Sequence, residues 1–217
     1  MKPVIIFGAG QIAQSFAAYL DDGGYDIHCF VVDPEYPPED LLNWPIYIAP
    51  KLEEFDPSAF CFTVGMSYMG LNKPRAEKFN LLRSMGYEPL TFIDERVSIT
   101  GDPQIGDGSF VMDGNVIQPG VEIGENCILW SSNHCGHDTW IGDHVFIASH
   151  AVIGGNCSIG DRCFIGVNAT IRDGVKIGAD CVIGAGALIL SDCEPGGVYG
   201  VPGTERSKVP SYRLRGI

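Results

Sequence analysis

Between positions 99 and 189 an apolar residue returns at every sixth place. The series runs Ile99, Ile105, Val111, Ile117, Ile123, Leu129, Cys135, Ile141 and on to Ile189, sixteen positions without a slip of frame. Two places before nearly every one stands a smaller side chain, as at Val97, Asn115, Cys127, Ala151 and Cys181, with Pro103 the exception. Gly follows many of them, as at Gly106, Gly124, Gly142, Gly154 and Gly166. A period of six matches neither a 3.6-residue helix nor a simple amphipathic strand. It matches a solenoid in which each hexad is one short strand and one turn, and three hexads close a triangular coil. The large residue and its small partner share a strand face, because side chains alternate along a strand, so both point inward. The repeated Gly is expected where the chain turns tightly, often with φ > 0. About five coils of a hexapeptide-repeat β-helix follow from the pattern.

The remaining composition narrows the function. At 217 residues the chain suits one or two domains, and its net charge of −13 argues against nucleic acid and anionic membranes as partners. No signal peptide or apolar run of spanning length appears, which predicts a soluble, cytoplasmic protein. Charge is unevenly placed. No Lys or Arg lies between Arg96 and Arg162, whereas the tail carries Arg206, Lys208, Arg213 and Arg215, so an anionic ligand favours the late coils. Of the eight cysteines, Cys127, Cys157, Cys163 and Cys181 fall in the small inward slot and Cys135 in the large one. They read as reduced core packers, not as disulfides or metal ligands.

Residues 1–93 have a different pattern. A buried-strand run at 4–7 leads into Gly8-Ala9-Gly10-Gln11-Ile12-Ala13 and a helix over 11–20. A second strand at 27–32 ends in Asp33, a third at 59–64 ends in Gly65, a helix covers 73–85, and 88–93 is extended. Alternating strands and helices predict a Rossmann-like α/β domain with a parallel sheet and ligands at the carboxyl ends of its strands. Gly8 and Gly10 permit close approach of a phosphate to a helix N-terminus. Read alone, Gly8, Gly10 and Asp33 suggest NAD, yet the segment is too short for the second half of a dinucleotide fold. Their places at strand-to-helix turns also admit a purely structural role for Gly10 and Gly65. The junction at 91–100 is short, which couples the two domains rigidly.

Most solenoid turns read Asp-Gly, Gly-Asp or Gly-Glu. One coil departs: Ser131-Ser132-Asn133-His134-Cys135-Gly136-His137-Asp138-Thr139-Trp140. Four of the five histidines, His134, His137, His144 and His150, fall within seventeen residues. Imidazole suits general-base work near neutrality, and an adjacent carboxylate fixes its tautomer. Zinc is the rival use of clustered histidines, but His134 and His137 share one turn and no later coil supplies another. No metal is expected.

The repeat resembles the left-handed parallel β-helix acyltransferases, and the whole chain resembles bacterial nucleotide-sugar acetyltransferases of the sialic-acid O-acetyltransferase type. That resemblance implies the left hand, a homotrimer, and residues 94–217 as a β-helix acetyltransferase domain with a C-terminal cap. It implies that Gly8, Gly10, Gln11, Asp33 and Gly65 hold a nucleotide-linked sugar. His137 followed by Asp138, ahead of Ile141-Gly142, matches the family's catalytic His and acid. Acetyl-CoA is expected along a groove between subunits at the backbone of Gly155, Val167 and Ala185, with Phe146 at the acetyl group where some members have His. Gly155 lies one coil after His137, which places its N–H to hold an oxyanion. Arg206 and Lys208 are the cations for the CoA phosphates. The implied activity is acetyl transfer to an amino group of an amino-dideoxy sugar in surface glycan or lipopolysaccharide synthesis. The alternatives are O-acetylation of a sugar hydroxyl and a non-catalytic nucleotide-sugar-binding trimer.

Overall fold

The computed structural model of the chain describes residues 2–36, 43–204, 206 and 211–213. Its first half is a five-stranded parallel sheet built from β1 (Val4–Phe7), β2 (Ile27–Val32), β3 (Ile46–Ile48), β4 (Cys61–Val64) and β5 (Glu88–Pro89), in the order β3-β2-β1-β4-β5. β1 and β4 are buried along their whole length, as strands covered on both faces must be. Helix α1 (Gln11–Asp22) buries Ala13, Phe16, Ala17 and Leu20, the i, i+3, i+4, i+7 stripe of an amphipathic helix. Helix α2 (Lys73–Ser84) covers the other face through Phe79 and Leu82. The chain leaves β1 and β4 in opposite directions, so the loops after Phe7 and Val64 part and open a crevice between them. β3, not expected from the sequence, lies at the edge, and the third strand begins at Cys61, with 57–59 forming a 3-10 turn.

The second half is a parallel β-helix. Two-residue strands form three sheets of seven, six and five strands, one per face of the prism. Each residue pairs with the one 18 places on, as in Ile117 with Cys135 and Ile141 with Ile159, so three hexads make one coil. The inward residues from Val111 to Ile189, with Cys127, Cys157, Cys163 and Cys181 between them, form one continuous apolar column. Ile99 is the exception, 41% exposed because no coil stacks beyond it at that end. Phe92–Ile93, expected to belong to the front domain, instead pairs with Phe110–Val111 and adds a strand ahead of the frame. At the other end Val182 pairs with Val198, 16 places on, so the closing coil is two residues short.

The repeated Gly does not have the role expected of it. The left-handed turn residue is two places further on: Gly108, Gly114 and Gly120, then Asn126, Ser132, Asp138, His144, His150, Asn156, Arg162 and Asn168, with φ from 51° to 73°. Asn, Asp and His are the non-glycine residues that best tolerate that region. The Gly directly after the inward residue instead permits close stacking. A Cβ on Gly106 would lie 2.5 Å from the backbone carbon of Gly124 in the next coil, and one on Gly136 2.5 Å from that of Gly154.

The two halves meet through one face of the prism. Its outward residues Phe92, Phe110, Ile128 and Phe146 are buried together with Ala13, Phe16, Ala17 and Leu20 of α1. The Phe16 and Phe110 rings stack at 3.7 Å and 4°.

Candidate functional site

At the carboxyl ends of β1 and β4, facing that same prism face, lies a cavity of about 1010 Å³. The front half contributes Gly8, Gly10, Gln11, Ile12, Ser15, Tyr36, Gly65 and the stretch Met66, Ser67, Tyr68, Met69; the solenoid contributes Trp130, Phe146, Ala148, Ser149, Phe164 and Val167. No Asp, Glu, Lys or Arg is among these described lining residues. An anionic group here would rely on neutral donors, namely side chains such as Gln11, Ser15 and Ser67 and the backbone N–H groups at the N-terminus of α1.

The three glycines of the cavity do different work. Gly8 has φ +105°, and a Cβ there would meet the Gly65 carbonyl oxygen at 2.9 Å. Gly65 is a packing glycine, since a Cβ would lie 2.5 Å from Ala13 Cα. Gly10 has neither constraint: its φ is −72°, and a Cβ added to it would find nothing within 4 Å. Nothing in the fold demands Gly there, while the cavity beside it gains from one. Asp33 does not line the cavity; Lys78 of α2 pairs with it, and the same ammonium lies 5.2 Å from the Phe7 ring centre.

The four clustered histidines do not converge. His134 points outward from a strand of the six-stranded face, and His137, His144 and His150 occupy three different corners of the prism. Among the described residues no three His, Cys, Asp or Glu side chains are placed to share a metal ion.

Among the described histidines, His137 is the one paired with a carboxylate. Its Nδ1 is 2.9 Å from Asp138 Oδ2, and both side chains are exposed. A carboxylate only accepts, so Nδ1 is the donor, and in the neutral ring the lone pair is on Nε2. The backbone N–H of His137 donates to Gln118 Oε1 at 2.9 Å, a partner not expected from the sequence. Asp138 sits in the left-handed region with φ 55° and lies over Gly120, where a Cβ would come within 2.4 Å of Oδ1. Gly155 makes room for the ring: a Cβ on it would meet His137 Nε2 at 2.5 Å.

The oxyanion role expected of Gly155 meets an obstacle. Its N–H donates to Asp173 Oδ1 at 3.0 Å. The same side-chain bond recurs at another corner, from Glu125 N to Asp143 Oδ1 at 2.8 Å and from Asp143 N to Asp161 Oδ1 at 3.0 Å. It is thus a regular coil-to-coil brace, and Gly155 N–H is occupied. By contrast the N–H groups of Val167 and Ala185, stacked on the corner beside the cavity, make no hydrogen bond to another described residue. Phe146 is buried, 5.7 Å from Phe164 and 5.1 Å from Tyr68 between ring centres. Arg206 is exposed, and Lys208 lies outside the described residues.

His137 itself is absent from the cavity lining. It sits on the corner between the six- and five-stranded faces, whereas Val167 sits between the seven- and six-stranded faces.

This fold and site define a hexapeptide-repeat β-helix fused behind a parallel α/β unit. The family model described as bacterial transferase hexapeptide (six repeats) matches residues 102–137, 138–173 and 156–191, all within the solenoid. The stacked sheets and these repeats together fit a left-handed β-helix. A comparison with curated proteins gave no match. Among solved structures the chain is similar to the acetyltransferase domain of PglB from Neisseria gonorrhoeae, at 24% identity, TM-score 0.84, covering 93% of this chain and 97% of that one. It is similar to a perosamine N-acetyltransferase from Caulobacter crescentus in complex with CoA and GDP-perosamine, at 24% identity, TM-score 0.85, covering 93% and 94%. It is also similar to WeeI from Acinetobacter baumannii, at 20% identity, TM-score 0.82, covering 91% and 96%. At these identities the likeness establishes the fold, across both halves.

Proposed function

We propose that the protein transfers the acetyl group of acetyl-CoA to an amino group of a nucleotide-linked sugar. The observation that carries this reading is the cavity in which Gly8, Gly10 and Gln11 at the N-terminus of α1 face Phe146 and Val167 of the solenoid. The parallel front sheet, with its order reversing between β1 and β4, supports a Rossmann-like reading in which the ligand sits at that reversal. Gly10 lets a phosphate approach the helix N-terminus, and the sugar extends toward the solenoid. Gly8 and Gly65 shape this pocket, while Asp33 is held by Lys78 outside its lining. The pantetheine arm of acetyl-CoA runs along the corner where the Val167 and Ala185 amides have no partner among the described residues, with Arg206 toward its phosphates. The perosamine enzyme of similar fold, crystallised with CoA and GDP-perosamine, supports both ligand assignments.

In the reaction the neutral sugar amine attacks the thioester carbonyl carbon. His137 Nε2 takes the proton released from nitrogen, and Asp138 steadies the imidazolium that forms. Collapse of the tetrahedral adduct breaks the C–S bond, and the CoA sulfur leaves with a proton returned from His137. Gly155 contributes space for the ring, and the oxyanion falls to a donor other than its occupied amide. Because His137 and the cavity lie on different corners, the base for one cavity comes from a neighbouring copy, which supports a homotrimer. Acetyl-CoA supply places the reaction in the cytoplasm, with surface glycan or lipopolysaccharide synthesis as its context.

The test is CoA release with UDP-, dTDP-, GDP- and CMP-linked amino sugars, the product identified as the N-acetyl sugar. Saturable turnover with one of them is expected. Binding of such a sugar without CoA release would return the chain to a non-catalytic role, and acetylation of a hydroxyl in place of the amine would overturn the acceptor assignment.

A further inference from the structure

The wall of the cavity formed by Met66, Ser67, Tyr68 and Met69 is followed by three successive left-handed residues, Gly70 (φ 62°), Leu71 (φ 55°) and Asn72 (φ 60°). Two of the three carry a Cβ, so the surroundings must hold the turn in place. They do so through two buried polar side chains. Asn72 Nδ2 donates to the carbonyls of Arg162 at 3.0 Å and Cys163 at 3.2 Å. Arg75 is fully buried; Nη2 donates to Asn72 Oδ1 at 3.1 Å and to the His144 carbonyl at 2.7 Å, and Nη1 to the Asn126 carbonyl. Asn126, His144 and Arg162 stand 18 residues apart, so the pair grips one corner of three successive coils.

Simple packing would not need this arrangement. Asn72 is the N-cap of α2 yet makes no capping bond, because its side chain is turned to the solenoid. Arg75 is a buried cation with neutral partners only, which is a costly way to attach a helix. What the grip fixes is the segment just before it. Tyr68 rests on Phe164 and Phe146, at 4.3 and 5.1 Å between ring centres, and remains 47% exposed toward the cavity.

We propose that Asn72 and Arg75 are positioning residues that hold Tyr68 and its neighbours in the shape that receives the sugar of the nucleotide-linked acceptor. This rests on the function proposed above. The grip predicts that the wall is set by the solenoid and not by the front sheet to which it is covalently joined.

The variant of choice is Asn72→Gly, since Gly adopts positive φ freely and only the anchor is lost. Leu71→Gly relaxes the same turn with the anchor intact and serves as the control. In the ligand-free protein, amide hydrogen exchange over 66–71 should quicken by about tenfold or more in Asn72→Gly, which loses all three hydrogen bonds of that side chain, and stay unchanged in Leu71→Gly. With the nucleotide-linked amino sugar that the wild type acetylates fastest, Asn72→Gly should raise KM for the sugar by about tenfold, leaving kcat and the KM for acetyl-CoA near wild type. Tyr68→Ala should give a similar rise, and the double variant little more than either alone. Unchanged exchange over 66–71, or a fall in kcat with the sugar KM preserved, would overturn the proposal. If no sugar of the panel is acetylated the proposed activity itself fails, and the exchange result alone judges whether the grip sets the wall.

Discussion

At the scale of single residues, glycines separate the parts of the site, because each is required for a different reason. Gly155→Ala would drive a Cβ into His137 Nε2 at 2.5 Å while leaving the brace to Asp173 in place. Turnover should fall by about 10²-fold or more, the size of a general-base contribution, with the melting temperature nearly unchanged. Gly65→Ala would press on Ala13 Cα at 2.5 Å, an overpacking that costs about 1–3 kcal/mol and should appear as lost stability. Gly10→Val meets open space, so the protein should stay folded while KM for the nucleotide sugar rises with little change for acetyl-CoA. Kinetics and thermal melts on the three variants check this division; a destabilised Gly10→Val would return Gly10 to a structural role. The sequence singled out all three positions but could not rank them. A periodic Gly has the same appearance whether it serves positive φ or close stacking, and only the neighbouring coil tells which. Asp173 and Gln118 were invisible for the same reason, since each acts on a residue about one coil away.

At the scale of elements, the hexad frame was legible because every inward slot obeys one rule. The covered face has its own signal, at three times that period. Phe92, Phe110, Ile128, Phe146 and Phe164 recur at 18-residue spacing in outward slots, where Gln104, Glu122, Ser158 and Lys176 of another face are polar and Trp140 alone is aromatic. That spacing marks where the first half packs on the solenoid. The grip of α2 on the solenoid had no such signal, since Arg75 and its partners are far apart in sequence. The same contact creates a pH dependence. His144 is partly buried beside Arg75, with its Nδ1 2.9 Å from Asn126 Nδ2 and its ring 5.9 Å from that of Phe79. Burial first, and then the Arg75 charge, hold its pKa below the usual 6.5; Asp143 and Asp161 oppose this and Arg162 adds to it. The unfolded chain therefore binds a proton below 6.5 that the folded one refuses, so stability is full above that pH and is lost as pH falls through it. The carboxyls of Asp94, Asp113 and Asp180 are held below 3.8 by hydrogen bonds, chiefly from Arg96, Ser131 and Arg162, and their contribution fades only at much lower pH. Melting curves should show the wild type losing stability as pH falls below about 6.5 and His144→Asn, which keeps the left-handed turn, losing distinctly less. Equal slopes would remove His144 from the account.

At the scale of the whole molecule, one chain holds both halves of the proposed chemistry but does not bring them together. The cavity opens at one corner of the prism and His137 stands at another. Light scattering should find a trimer. If each cavity borrows His137 from a neighbour, mixing His137→Ala with Gly10→Val subunits should restore activity to about a quarter of wild type, from random assembly of good cavities beside good bases. Activity no greater than the sum of the parents would place the whole site within one chain. The corners carry no such signal in the sequence, because the hexad rule governs what faces inward and leaves the outer corners unconstrained. The central claim, that His137 is the base of an acetyl transfer, is tested most directly by kcat for His137→Ala with acetyl-CoA and the accepted amino sugar. The turn slot leaves Cys135 and Ile141 untouched in the core, so the variant should fold and assemble as the wild type does. The account predicts kcat lower by about 10²- to 10⁴-fold with KM for acetyl-CoA nearly unchanged. A folded, assembled His137→Ala that kept more than about a tenth of wild-type kcat would contradict it.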